Sequence, residues 1–369
     1  MHILFAGGGT AGHINPALAV ADYIKKNHPD AKISYIGTAN KLEAKLVPQK
    51  GYDFYTIDVA GFQRKISLKN IARNASAAVK AVTSSVKAKK LLKQLKPDIV
   101  VGTGGYVSGP VLRQAQKLGI KTAIHEQNAF PGITTKMLAP NADVVMLAMP
   151  QAKKYLQLKK EPVITGNPVR QELLNITKKQ ARAKLGLGDK PFVLSFGGSL
   201  GARRINEAVT ELIKWNSKNH LFSHLHGTGK VGYQTMIDNL KDTNLDSDTK
   251  VEKYIYDMDV YMAAADIIIS RAGAITLSEI CSCGKASILI PSPYVAENHQ
   301  YHNAMTLVEN GAAKIIEEKD LSGEILINTV KNMLSDGDTV DVMGQSAKKM
   351  AIIDANQRIY NEIIKLFNS

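Results

Sequence analysis

Ile3-Leu4-Phe5-Ala6-Gly7-Gly8-Gly9-Thr10-Ala11-Gly12-His13 is an apolar run that breaks into glycine, and its reading decides the fold. Phe192-Val193-Leu194-Ser195-Phe196-Gly197-Gly198-Ser199-Leu200-Gly201 repeats the pattern in the second half. Each turn then opens a helical stretch with an Ile-Asn-x-Ala signature, Ile14-Asn15-Pro16-Ala17 and Ile205-Asn206-Glu207-Ala208. A strand, a glycine turn and a helix together present backbone N–H groups and a helix N-terminus to phosphate. Two such units predict two doubly wound α/β domains facing each other across a cleft. That layout suits an enzyme joining a nucleotide-bearing donor to a second substrate.

Outward from these turns, short apolar runs alternate with helical patterns, which implies parallel sheets with helices on both faces. In the first half the strands fit 2–6, 32–36, 54–59, 98–101, 122–125, 144–147 and 162–165. The breaker cluster Gly166-Asn167-Pro168 suits a linker. The second half restarts with strands at 192–196, 222–225, 250–253, 267–269, 287–290 and 313–315. The first helix is expected to begin at Pro16, and 344–367 reads as one terminal helix. The domains are therefore expected at 1–165 and 166–345, with 346–369 packing back on the first.

The 369 residues carry a net charge of +14, which calls for an acidic partner. Much of that charge lies between Arg64 and Lys96. There Lys80, Lys87, Lys89, Lys90 and Lys93 alternate with small and apolar residues at helical spacing. Aromatic side chains are almost absent from that stretch, which argues against single-stranded nucleic acid. A basic amphipathic helix on anionic lipid fits, as does a merely solvated basic face. No apolar run reaches the ~18 residues of a membrane span, and a strand pattern begins too early for a signal peptide. Cys281 and Cys283 lie too close for an ordinary disulfide, which suits a reduced compartment.

Gly7-x-Gly9-x-x-Gly12 matches the dinucleotide fingerprint. However, the second strand ends Tyr35-Ile36-Gly37-Thr38-Ala39, without the carboxylate that would hold a ribose diol. That counts against a nicotinamide enzyme. His13, just after the turn, faces the positive end of a helix dipole, which suits either a capping role or a general base. A third glycine turn spans Gly102-Thr103-Gly104-Gly105-Tyr106-Val107-Ser108-Gly109-Pro110. His125-Glu126-Gln127-Asn128 lies at the carboxyl end of a strand, where open α/β sheets bind ligands. Thr276-Leu277-Ser278-Glu279 reads either as a capping box or as a phosphate-and-ribose site. His220, His224 and His226 have no carboxylate or thiol close in sequence, so no metal and no cofactor is expected.

Taken in order, these motifs, with Gly166-Asn167-Pro168-Val169-Arg170 and Arg271-Ala272-Gly273-Ala274, resemble those of the MurG family. These are the bacterial UDP-N-acetylglucosamine:lipid I N-acetylglucosaminyltransferases. The resemblance runs nearly end to end and implies a GT-B fold of two Rossmann-like domains, acceptor and membrane side first, UDP-sugar side second. It implies a hexosyltransferase moving N-acetylglucosamine to the 4-hydroxyl of the muramoyl sugar of lipid I, with inversion, to give lipid II. That would place the chain in peptidoglycan biosynthesis, and so in cell-wall biogenesis, cell shape and cell division. It implies a peripheral enzyme on the cytoplasmic face of the cell membrane, with no nucleic acid and with contacts to other cell-wall synthesis proteins. A divalent cation would at most stimulate turnover, unbound in the resting protein.

By position, the resemblance gives His13, Glu126 and Tyr106 catalytic roles, leaving open whether His13 or Glu126 accepts the proton. Thr10, Ala11, Gly12, Asn128, Arg170, Ser199, Ile255, Ala274, Glu279 and Gln300 would bind the donor. Gly104, Gly105, Ser108 and His125 would serve the acceptor and its diphosphate. Ala11 and Ala272 depart from a glycine and a serine frequent in the family. Three other readings stay open: a UDP-sugar 2-epimerase of the same architecture, a glycolipid synthase using diacylglycerol, and a non-catalytic binder of acidic lipid or nucleic acid.

Overall fold

Every strand pairing in the computed structural model, which describes residues 1–59, 68–198 and 200–369, is parallel. Parallel strands need crossovers that cover both faces, so the central strands are buried along their length, while the edge strand Thr249–Glu252 alternates. Arg64 and Ser199 lie outside the described residues. The first sheet contains β1 (His2–Gly7), β2 (Lys32–Gly37), β3 (Asp53–Thr56), β4 (Ile99–Gly104), β5 (Lys121–Glu126), β6 (Val144–Leu147) and β7 (Val163–Ile164). Its order is β3-β2-β1-β4-β5-β6-β7. The second contains β8 (Phe192–Phe196), β9 (Ser223–Gly227), β10 (Thr249–Glu252), β11 (Ile267–Ser270), β12 (Ala286–Leu289) and β13 (Lys314–Ile315), in the order β10-β9-β8-β11-β12-β13. Both are Rossmann orders. In each, the strand carrying the glycine turn sits where the order reverses, and ligands bind outside that point.

The chain divides into a unit of Met1–Pro168 with Asp354–Ser369 and a unit of Val169–Ile353. In the first, Ile359 and Ile363 of the helix Ala355–Asn368 are buried with Ile3, Phe5, Ile14 and Ile24. Tyr360 takes a hydrogen bond with His28 Nε2 at 2.7 Å and meets Tyr23 edge-on. The stretch expected as one helix over 344–367 is two, Gly337–Lys349 and Ala355–Asn368. The break at 350–354 lets the earlier helix pack on the second unit and the later one on the first.

The first helix starts at Ala11, five residues before the expected Pro16. Pro16 has no N–H, so the Gly12 carbonyl lacks its usual helical donor. The helices Glu43–Gln49, Lys178–Leu185 and Gly323–Ser335 were not expected, although the second opens on a capping box, Thr177 with Gln180.

His220, His224 and His226 do not converge. His220 is exposed and pairs with Asp246. His224 and His226 lie on β9 of the second sheet, both bonded to Ser195 Oγ, at 2.8 and 2.7 Å. Asn206 Nδ2 donates to Thr228 O, so its Oδ1 faces His226 Nε2 at 3.1 Å and that nitrogen carries the proton. Ser195 must then donate to His226 Nδ1 and accept from His224 Nε2–H. Among the described residues no cluster of His, Cys, Asp and Glu could hold a metal.

Burial holds both imidazoles at about 3, far below the ordinary value of 6.5. In the unfolded chain these rings take up protons as pH falls through 6.5; in the folded one they do so only near 3. Stability is therefore lost on acidification across that window. We expect urea unfolding, followed at the single tryptophan Trp215, to show a loss of about 2 kcal/mol per histidine between pH 7.5 and pH 5. His224→Gln should remove roughly half of it. Equal unfolding free energies at the two pH values would mean the rings are protonated in place.

Candidate functional site

β1 runs out at Gly7, and the next two residues turn the chain, Gly9 at φ +89. Such a φ is open to glycine at little cost. Thr10 is extended and the helix begins. This geometry brings His13 back over its own turn. Its Nδ1 lies 3.1 Å from the Gly8 carbonyl. A carbonyl only accepts, so Nδ1 carries the proton and Nε2 keeps its lone pair. The Nε2 edge faces Gly104, where a Cβ would come within 3.0 Å of it. A Cβ on Gly105 (φ +79) would lie 2.3 Å from the Gly8 oxygen. The third glycine turn thus closes over the first because neither glycine has a side chain.

The structure turns several expected ligand groups inward. Ser108 Oγ is buried, donates to Ala6 O at 2.7 Å and accepts from Gly104 N, tying β1 to β4. His125 is buried; its Nε2 donates to Gly166 O at 2.9 Å and its Nδ1 accepts from Gln127. Burial lowers its pKa, favouring the neutral ring. Glu126 is also buried and accepts four bonds: from Asn128 N and Nδ2, from Gly132 N and from Thr135 Oγ1. Its carboxylate organises the loop after β5 and opens the helix Ile133–Leu138. Tyr106, by contrast, is 60% exposed at the lip of the third turn.

In the second unit, Gly198 (φ +93) and Gly201 (φ +81) turn the chain after β8, and Ala202 leads into the helix Arg203–Asn219. A Cβ on Gly201 would lie 2.2 Å from Thr228 O, so this turn sits directly on the loop after β9. Gly197, Gly198, Gly201, Arg204, Ser292 and Gln300 are among the residues lining a cavity of about 470 Å³. Gln300 Oε1 accepts from Ser292 N at 2.9 Å.

The helix carrying Glu279 begins at Ala274 with Gly273 as its cap, so Thr276 caps nothing and the capping-box alternative falls. Glu279 Oε1 instead accepts from Arg170 Nε at 2.7 Å. Burial raises the Glu279 pKa, and Arg170 pulls against that rise. Arg271 spends its guanidinium on Ile290 O, Pro291 O and Glu318.

Ile255 is buried, its Cδ1 packed over Gly227. Tyr254 and Tyr256 flank it, 53% and 85% exposed, with rings 5.0 Å apart. The Tyr-x-Tyr pattern was the signal for this aromatic pair. Glu43, buried beneath the first turn, had no signal at all.

The glycosyltransferase family 28 N-terminal domain matches residues 3–147, and its C-terminal domain matches residues 192–359. The chain belongs to glycosyltransferase family 28. Family 28 relatives include a protein of Acetivibrio thermocellus, 46% identical over 99% of this chain and 98% of its own. Another, of Caldanaerobacter subterraneus, is 47% identical over 98% of each chain. Both are named UDP-N-acetylglucosamine–N-acetylmuramyl-(pentapeptide) pyrophosphoryl-undecaprenol N-acetylglucosamine transferase. The crystal structure of Acinetobacter baumannii MurG matches with a TM-score of 0.81 at 31% identity over 99% of each chain. A Neisseria meningitidis UDP-GlcNAc 2-epimerase, 16% identical with a TM-score of 0.64, shares the fold alone. Two Rossmann-like parallel sheets in the GT-B manner are thus the family 28 fold in this chain.

Because Glu126 closes its loop with four hydrogen bonds, Glu126→Gln should cost about 2–3 kcal/mol in urea unfolding, since an amide nitrogen cannot accept from Gly132 and Thr135. Unchanged stability with lost turnover would instead return Glu126 to proton transfer.

Proposed function

We propose that this chain transfers N-acetylglucosamine from UDP-N-acetylglucosamine to the 4-hydroxyl of the muramoyl sugar of lipid I, giving lipid II. The family, and the activity named for relatives alike over nearly the whole chain, support the reaction class. One observation carries the mechanism: the hydrogen bond from His13 Nδ1 to Gly8 O, which leaves Nε2 free to accept a proton. Glu126 has its oxygens committed to the loop, so His13 is the base in this reading.

In the step itself, the acceptor O4 attacks the anomeric carbon from the face opposite the diphosphate. The C1–O bond breaks, UDP leaves with the electron pair, and the O4 proton passes to His13 Nε2. Charge on the departing diphosphate is met by the turn 197–201 and the N-terminus of the helix Arg203–Asn219. Arg170 adds a cation, and Glu279 takes the ribose. The Ile255 backbone reads the uracil, with Tyr254 and Tyr256 beside it. Thr10, Ala11 and Gly12 frame the donor–acceptor junction with Tyr106 nearby, Asn128 reaches the donor sugar, and Gly104 and Gly105 admit the acceptor diphosphate. Ser108 and His125 serve by holding those turns in shape. Ala274 and Gln300 complete the donor contacts.

No helix among the described residues is long and apolar enough to cross a membrane. On the helix Leu68–Leu95, Val82 and Val86 are each 66% exposed and stand one turn apart, among the exposed Lys80, Lys87, Lys89, Lys90 and Lys93. We assign this face to the anionic cytoplasmic surface of the membrane: the lysines meet headgroups and the valines the acyl boundary.

Label from UDP-N-acetylglucosamine, and not from UDP-glucose, should appear in a short-chain lipid I analogue. His13→Ala should lower kcat by about 100-fold or more with little change in donor affinity. No transfer despite UDP binding would overturn the acceptor assignment, and near-normal turnover in His13→Ala would remove the base. Sedimentation with phosphatidylglycerol vesicles should rise with their anionic fraction and fall at high salt. Lys89→Glu with Lys90→Glu should weaken it roughly tenfold or more, and unchanged binding would free this face from the membrane.

A further inference from the structure

Glu43 is 0% exposed, and among the described residues no cation pairs with it. A bare carboxylate is costly to bury, and this one is sustained by hydrogen bonds alone. Thr38 N and Thr38 Oγ1 donate to Oε1 at 3.1 and 2.7 Å, and Gly9 N donates to Oε2 at 3.1 Å. A Cβ on Gly8 would lie 2.4 Å from Oε1, so the carboxylate reaches the turn only because Gly8 has none.

The decisive point is which peptide unit it holds. Gly9 N–H and Gly8 C=O belong to the same planar group, and in a trans peptide they point in opposite directions. Glu43 takes the N–H on one side, and His13 Nδ1–H is received by the C=O on the other. A peptide between two glycines has little to stop it from flipping, since both flanking residues tolerate either orientation. Here a flip would break both hydrogen bonds at once. The negative charge on Glu43 also polarises the peptide, which makes the Gly8 oxygen a stronger acceptor for the imidazole. It further favours the imidazolium that forms when Nε2 takes a proton.

We infer that Glu43 is a positioning residue for His13, acting through the Gly8–Gly9 peptide as a carboxylate–peptide–imidazole relay. The inference rests on the proposed base role of His13. It adds a residue on a different helix, Glu43–Gln49, that touches neither substrate.

The test uses the full chain, labelled transfer to the lipid I analogue, and three variants: Glu43→Gln, His13→Ala and the two combined. Glu43→Gln should lower kcat about 10- to 100-fold with the donor KM unchanged. The double variant should be no slower than His13→Ala alone, since two residues in one relay are not additive. Asp143→Asn, which removes a carboxylate bonded to Thr122 N at 2.7 Å in the same unit, controls for the general loss of such a group and should keep its kcat. Should Glu43→Gln not fold, imidazole nitrogen spectroscopy of the unaltered protein decides: His13 must show the Nδ1–H tautomer. A dominant Nε2–H tautomer, losses that multiply in the double variant, or a normal kcat in Glu43→Gln beside an impaired His13→Ala would each overturn the relay. Near-normal turnover in His13→Ala would instead overturn the base reading beneath it.

Discussion

One carbonyl oxygen, that of Gly8, constrains the whole first half-site. It receives His13 Nδ1 at 3.1 Å and leaves no space for a side chain on Gly105. β1 and β4 must therefore end side by side, and Ser108 fastens them there through Ala6 O and Gly104 N. The first and third glycine turns are one object, closed by contacts that a Cβ on Gly8, Gly104 or Gly105 would break. The second unit uses the same device between Gly201 and Thr228. In both, glycine serves twice: at Gly8, Gly105 and Gly201 because a Cβ would not fit, and at Gly9 and Gly198 because of the positive φ.

The opposite ends of the sheets are fastened differently. Asp98, Asp143 and Asp266 each stand just before a strand, and each accepts the first free N–H of the neighbouring parallel strand. The pairs are Asp98 with His2 at 2.6 Å, Asp143 with Thr122 at 2.7 Å, and Asp266 with Phe192 at 2.7 Å. A parallel sheet leaves such N–H groups unpaired at its edges of entry, and an aspartate one residue ahead of the next strand satisfies them. Aspartates lock the entry ends. Glutamates, with their longer reach, shape the loops at the exit ends, where Glu43 and Glu126 work.

Much of this was legible from the chain alone. Apolar runs located the thirteen strands of the described residues to within a few residues, because most of them are buried on both faces and leave an unbroken apolar trace. Helix limits were less legible. Pro16 suggested a helix start, yet the helix tolerates it in its second turn, and the two terminal helices are separated by Met350-Ala351-Ile352-Ile353-Asp354, with neither glycine nor proline. At the site, motifs gave positions but not directions. Ser108, His125 and Glu126 lie where expected, and their side chains point into the protein to hold backbone groups. Glu43 escaped notice because one of its partners, Gly9, lies 34 residues away and only the folded sheet brings it close.

The terminal helix gives the molecule a discontinuous first unit, begun by residues 1–168 and finished by residues 354–369. Ile359 and Ile363 enter the same core as Ile3 and Phe5, across nearly the whole chain. During synthesis the N-terminal sheet therefore waits, with an apolar face uncovered, while the entire second unit is made. Residues 354–369 must emerge before that core can close. For this enzyme, the order of translation and the order of folding part company: the half that emerges first is the half completed last.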